Sequence, residues 1–293
     1  MAAPDAAAAR TRRVQAVGVG RRRSATVLWN LVGLGFALVM VFPVYWMLST
    51  AFKPANEVQT FTPHLVPQHP TLDNFRSALH APNFVTDLKN SLIITLFSVL
   101  AGLVVGFLGA LAIARFRFYG RKAMIAVILV VQMVPFTALL IPLYKTLNGV
   151  HWTNSLVGVT VTYLILVLPY TVWMLRGFIV NIPKELDEAA LVDGCNRAQT
   201  FYRIILPLTG PGLVAAAVYG FIQTWNEFII INTLNDPAHW NLMAFLASNQ
   251  TLRGTTWGPL MAGATITSLP VVVFFLIIQR NIATGLTAGA VKG

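Results

Sequence analysis

Charge is scarce in this chain, and negative charge is scarcest. Of its 293 residues only 11% are charged, ten of them acidic and 21 basic, whereas 56% are hydrophobic. Apolar runs of membrane-spanning length recur along it, which a soluble domain of this size would not need, so the chain reads as an integral membrane protein. Cysteine is nearly absent. The single Cys195 cannot form an intrachain disulfide and lies in a segment expected in the cytoplasm, where thiols stay reduced, so a disulfide-stapled or thiol-redox protein is excluded. Catalytic signatures are also missing: there is no G-x-x-x-x-G-K-[ST] phosphate loop, no H-E-x-x-H, no G-x-S-x-G and no carboxylate cluster within a span. The histidines His64, His69, His80, His151 and His239 all fall in expected outer segments, and no pair has the spacing that zinc sites use. The chain is therefore expected to be no enzyme, with no metal site and no cofactor of its own.

What is present is a series of six apolar segments, roughly 25–51, 89–114, 122–143, 155–179, 208–232 and 257–279. Each is at least about 20 residues, enough at 1.5 Å per residue to cross a hydrocarbon core of roughly 30 Å. The basic residues set the orientation. Arg10, Arg12, Arg13, Arg21, Arg22 and Arg23 precede the first span, and Arg115, Arg117, Arg121 and Lys122 follow the second. Arg176, Lys184, Arg197 and Arg203 border or occupy the loop after the fourth, and Arg280 and Lys292 lie at the end. The positive-inside rule places this side, and both termini, in the cytoplasm of a multi-pass protein. The same rule accounts for the net charge of +11 without any nucleic-acid partner. Residues 1–24, Ala- and Arg-rich, read as a disordered basic leader, and 280–293 as a cytoplasmic tail. The first apolar run is too long, and lacks the cleavage site, for a cleaved signal peptide. Outside, segment 52–88 carries Pro54, Pro63, Pro67, Pro70 and Pro82 and is expected to be extended or turned rather than packed.

One polar stretch interrupts the greasy sequence on the cytoplasmic side, residues 181–207. Pro183 suits a first helical position, and Glu185 and Asp187 place negative charge at the positive helix end. A short helix should run to about Asp193, with Leu186, Ala189, Ala190 and Val192 forming a narrow apolar face. Gly194 can take the left-handed conformation that ends it. A second short helix, near 198–205, should stop at Leu206 and Pro207, making a helix–turn–helix across the cytoplasmic face. Pro207 would link it rigidly to the fifth span.

Within the spans the polar residues are few. Tyr219, Gln223, Asn226 and Glu227 follow one another at steps of four and three, which places them on one helical face. Glu227 is the only acid expected inside a span, about 22 Å from the cytoplasmic end of its helix. Such a charge must point into the bundle or a watery cavity, where it either lines a pathway or bonds a neighbouring helix. Gln132, mid-span in the third segment, is a weaker pathway candidate. Pro43, Pro135, Pro142, Pro169 and Pro270 lie within spans and are compatible with a gate.

Residues 188–207, EAALVDGCNRAQTFYRIILP, fit the pattern E-A-A, three residues, G, nine residues, I, one residue, L-P. This spacing resembles the EAA loop of bacterial ABC importer permeases, and the tail QRNIATGLTAGAVKG and the stretch WNEF at 225–228 resemble the MalG-like carbohydrate permeases. The resemblance covers nearly everything after residue 25. It implies an all-α, six-helix type I ABC importer fold with cytoplasmic coupling helices, in a bacterial inner membrane. Glu188, Ala189, Ala190, Asp193, Gly194, Leu206 and Pro207 would then be the ATPase-coupling residues. A homologous second permease, two ATPase subunits holding ATP and Mg, and an extracytoplasmic solute-binding protein would be the partners, and a sugar the cargo. A related solute such as glycerol phosphate, or an ion-coupled secondary transporter, is the alternative reading.

Overall fold

Inside a bilayer every backbone N–H must be bonded within its own segment, and this chain meets that demand with helices. The computed structural model describes the backbone of residues 5–251 and 254–290, and the side chains of 26–250 and 254–279. Helix α1 (Asp5–Ala51) includes the first span, Thr26–Ala51, with mean hydropathy 2.2. Its Leu28, Phe36, Leu38 and Val39 are all more than half exposed, as lipid-facing side chains are. The backbone of residues 5–24, expected to be a disordered leader, continues this helix, in keeping with the high helix propensity of its alanines and arginines. At the other end α14 (Trp257–Ala290) contributes the span Trp257–Gln279 and runs on through most of the expected tail, whose side chains fall outside the described residues.

The centre of the molecule is a seam between α4 (Phe84–Arg115) and α7 (Leu156–Val180). Gly106 makes the close approach: a Cβ there would lie 2.5 Å from Thr171 Cγ2, so only glycine fits. Helix α11 (Gly210–Trp225) lies against both. Phe107, Ala110, Ala114, Leu175, Ile179, Ile182, Ile205 and Ala216 form one buried cluster at the cytoplasmic side of this trio.

Among the described residues four helices are long and apolar enough to cross a membrane, or up to six if each of two bent pairs counts as one span. The first pair corrects the expected third span. Instead of one helix over 122–143, α5 (Arg121–Met133) and α6 (Phe136–Gly149) meet at 101°. Pro135 has no N–H and disfavours the helical conformation at Val134, whose ψ is 122°. The second pair corrects the fifth span: residues 197–208 bend by 69° into α11, which ends at Trp225, well short of 232. Beyond it stand α12 (Ile229–Leu234) and α13 (Leu242–Ser248) as separate outer helices. Among the described residues the only strands are Gln250–Thr251 and Gly254–Thr255, a minimal antiparallel hairpin.

The outer segment 52–88 is more ordered than its prolines suggested. It holds α2 (Ala55–Val58) and α3 (Asp73–Leu79), and α3 packs on α14. Pro54 serves as the cap that launches α2, so this proline starts structure rather than excluding it. Lys53 is buried with Nζ 2.6 Å from the His64 carbonyl and 4.3 Å from the centre of the Trp46 ring. Helix α4 also begins earlier than expected, so Asp87 sits in its first turn, 2% exposed, and joins Glu227 as an acid at a span.

Candidate coupling surface and transport pathway

The polar loop of residues 181–207 is a helix–turn–helix. Helix α8 (Lys184–Val192) starts after Pro183, with Glu185 and Asp187 in its first turn, where they complement the positive helix end. It ends as the sequence indicated. Gly194 has φ 85°, and the Cys195 N–H returns to the Ala190 carbonyl at 2.9 Å. The following helix, α9 (Arg197–Thr200), is fixed by a capping box that sequence reasoning missed, although N-x-x-Q at 196–199 announces it. Asn196 Oδ1 accepts from the Gln199 N–H at 2.9 Å, and Gln199 Oε1 accepts from the Asn196 N–H at 2.7 Å. A single π-helical turn, Phe201–Ile205, and α10 (Leu206–Leu208) then lead to the bend. The expected second helix near 198–205 is therefore a composite, and Pro207 lies just before a bent joint instead of inside a straight link. The joint is nonetheless packed: Thr209 is buried, its hydroxyl donating to the Ile205 carbonyl at 2.7 Å.

Of the candidate coupling residues, Glu188, Ala189, Asp193 and Gly194 are exposed, with Leu191 and Val192 beside them, Val192 at 87%. Ala190 is turned inward and buried, so the expected apolar face is split by the fold: Ala190 packs on the body while Leu186, Ala189 and Val192 are exposed. Leu206 is half-buried and Pro207 exposed. One attachment was not readable from local sequence. Arg115, the last residue of α4, places Nε 2.8 Å from Asp187 Oδ2, and its Nη2 donates to the Ile182 carbonyl at 3.1 Å.

The structure divides the intramembrane polar residues into two sets. Tyr219 stacks on Tyr170, ring centres 3.7 Å apart, and both line a cleft with Gln132, Pro169 and Phe136 at the α5–α6 break. Gln223 and Asn226 lie further along the same face of α11, both exposed, with Asn226 Nδ2 donating to the Ile222 carbonyl. Glu227 does not join them. Because α11 stops at Trp225, the expected four-residue stripe loses its last member, which turns toward α7. Tyr163 Oη donates to Glu227 Oε2 at 2.9 Å, and the carboxylate accepts from the Ile230 N–H at 3.0 Å, capping α12. Asn241 Nδ2 donates to the Glu227 carbonyl at 2.6 Å. Of its two expected uses, bonding a neighbouring helix is the one this geometry displays. Among the described residues no group of histidine, cysteine and carboxylate is placed to hold a metal.

A helical bundle with broken spans and a polar helix–turn–helix projecting from one end defines the class: a membrane permease of the ABC importer type. Within it, the chain belongs to the family of binding-protein-dependent transport system inner membrane components, whose family model matches residues 98–287. It is 41% identical to the diacetylchitobiose uptake system permease protein DasC of Streptomyces coelicolor, over 90% of this chain and 96% of that one. It is 35% identical to the trehalose transport system permease protein SugB of Mycobacterium tuberculosis, over 94% and 100%. Among solved structures, a bacterial ABC transporter importing the acidic polysaccharide alginate superposes with TM-score 0.75 at 20% identity, over 89% of this chain and 97% of that one. That likeness bears on the fold.

Proposed function

We propose that this chain is half of the translocation pathway of an ATP-driven carbohydrate importer, and that its α8–α9 loop is the surface on which an ATPase subunit acts. The observation that carries the reading is the exposed end of α8. Glu188, Ala189 and Val192 face outward around a glycine turn, offering one charge, small side chains for close approach and one apolar anchor. The sugars imported by the related permeases support a carbohydrate cargo. On this reading a homologous second permease covers the exposed face of α11 that carries Gln223 and Asn226. Two ATPase subunits, holding ATP and Mg, sit below, and a solute-binding protein delivers cargo to the outer face. Both termini are cytoplasmic. The permease performs no covalent chemistry; closure of the ATPases and docking of the binding protein favour the same conformation and so act as coupled ligands. Sugar hydroxyls would find Gln132, Tyr170 and Tyr219 in the cleft at the α5–α6 break, with Gln223 and Asn226 continuing the path.

Glu188→Ala and Gly194→Val test the coupling surface, the second because a branched side chain is strained at φ 85°. We expect loss of ATPase subunits from the purified assembly, or of ATPase stimulation, with uptake reduced in either case. Assembly, stimulation and uptake all at the wild-type level would overturn the reading.

A further inference from the structure

The cytoplasmic loop is joined to the membrane body covalently at both ends, by apolar packing of Ile182, Phe201 and Ile205 against α4 and α7, and by one ion pair. The chain enters α8 from α7 through Ile182 and Pro183, and leaves through α9 and the bent joint to α11. The ion pair is made by Arg115. It is the terminal residue of α4, where the negative helix end favours a cation. From there it meets the loop at two points: Nη2 donates to the Ile182 carbonyl, and Nε stands 2.8 Å from Asp187 Oδ2 as an ion pair whose angle is not that of a hydrogen bond. The planar guanidinium carries these two contacts on separate nitrogens, a geometry that the compact ammonium of a lysine does not reproduce. The pair is shielded: the Arg115 side chain is 9% exposed and that of Asp187 21%. Leu111, Phe116, Leu191, Phe201 and Ile205 line the small cavity beside it. Arg197, the one other charge lining that cavity, stands near the face of the Phe116 ring. In such surroundings an ion pair is screened little by salt, and breaking one side leaves the other charge uncompensated.

We propose that Arg115 is a positioning residue for coupling: by clamping Asp187 and Ile182 to the end of α4, it makes α8 move as one body with the α4–α7 seam. A push on α8 then reaches the second and fourth spans directly, and not only the fifth through the bent joint. The inference rests on the coupling reading of the loop, but concerns where the movement goes rather than what produces it.

The test uses the complete importer in nanodiscs, with Cys195→Ser and spin labels at Glu185→Cys on α8 and Val104→Cys on the exposed side of α4. Distances are measured without nucleotide and after trapping with ATP and vanadate. With Arg115 intact the Glu185–Val104 distance distribution should be the same in both states. In Arg115→Ala a second, displaced population should appear on trapping, and ATP hydrolysed per sugar imported should rise by roughly fivefold or more, the usual range of a coupling free energy. Asp187→Asn should do the same. The double variant should be no worse than the worse single one, because the two side chains act through one contact. Arg115→Lys should recover the single population only in part. The proposal is overturned if the distance shifts on trapping with Arg115 intact, or if Arg115→Ala keeps the unshifted distribution in both states. It is also overturned if Arg115→Ala sheds the ATPase subunits, since Arg115 would then merely hold the docking surface in shape. The docking reading fails separately: Glu188→Ala with full ATPase content, stimulation and uptake removes that reading, whereas a shifted wild-type distance removes only the role of Arg115.

Discussion

Two carboxylates at opposite ends of the bundle, Glu57 in the segment after α1 and Asp187 in α8, each secure a polar connection, and they do so over different reaches. Glu57, 7% exposed, accepts the backbone N–H groups of Gln68 and His69, eleven and twelve residues on, and meets the His69 ring at 2.9 Å. It closes a loop upon itself. Asp187 instead reaches across to Arg115, at the end of a different membrane helix. A local clasp gives a loop its shape, while a long-range one makes the loop part of the body. Glu57 therefore shapes its segment from within, although that segment also leans on the bundle, with Tyr45 Oη and Ser49 Oγ of α1 donating to the Leu65 carbonyl and α3 packed on α14, whereas Asp187 is itself a tie between loop and bundle.

The contrast demands that the body to which Asp187 is tied be stiff, and the sharpest way to break it is at the α4–α7 seam. Gly106→Val places a methyl-bearing carbon where Thr171 Cγ2 already stands 2.5 Å from the Cβ position. Overpacking of this kind costs about 3 kcal/mol. We expect the variant to be recovered poorly, with a much lower unfolding temperature in detergent; a wild-type temperature would mean that the seam yields and the clamp has nothing firm to hold.

A third acid lies between the two extremes. Glu227 caps α12 locally through Ile230 and bonds α7 through Tyr163, so it joins a short reach to a long one. Glu227→Ala removes both and leaves the Ile230 N–H and the Tyr163 hydroxyl in buried surroundings, a loss of about 2 kcal/mol. Tyr163→Phe keeps the cap and removes the bonds of the hydroxyl, to Glu227 Oε2 at 2.9 Å and the longer ones to the Glu227 carbonyl and from Asn241 Nδ2, and should cost about 1 kcal/mol. Thermal unfolding checks the ranking. Equal effects would show that the contact with α7 is the whole of the role, and no effect from Tyr163→Phe would reduce Glu227 to a helix cap.

These three acids also show what was legible in the sequence. The apolar runs, the positive-inside pattern and the turn at Gly194 depend on composition and on residues a few places apart, and they could be read directly. The helix–turn–helix of residues 181–207 was legible for the same reason, its spacing and its breakers being local. Glu227 was misplaced because its helical face was drawn past Trp225, where the chain in fact leaves the helix to let the carboxylate cap the next one. The prolines of the third span were visible, but a bend of 101° is set by how the two halves pack, and α5 has no buried residue to hold it straight. Asp87 was read as a loop residue because α4 begins earlier than its apolar run does. The pairing of Arg115 with Asp187 was beyond sequence reading altogether, since nothing near either residue names the other.

The smallest expected effect is at Glu57, and it sharpens the comparison by its confinement. Burial would push this carboxyl up, but the N–H groups of Gln68 and His69 and the His69 side chain outweigh it and hold the group below its ordinary 4.5. A depressed folded value means that the clasp contributes stability fully above the unfolded value and loses it as pH falls through the folded one. Limited proteolysis of the segment between Glu57 and His69, run from neutral pH downward in nanodiscs, should therefore show protection that fades only once the pH drops below the ordinary carboxylate range. Glu57→Gln should be less protected at neutral pH and nearly flat with pH. The unfolding temperature of the whole protein should barely move in either case, because the bonds of Glu57 stay within eleven or twelve residues of chain, and the loop's tie to α1, from Tyr45 Oη and Ser49 Oγ to the Leu65 carbonyl, does not pass through it. If acid loosened the bundle together with the loop in wild type but not in the glutamine variant, Glu57 would be tied to the body as Asp187 is, and the distinction between a clasp that shapes and one that transmits would fall.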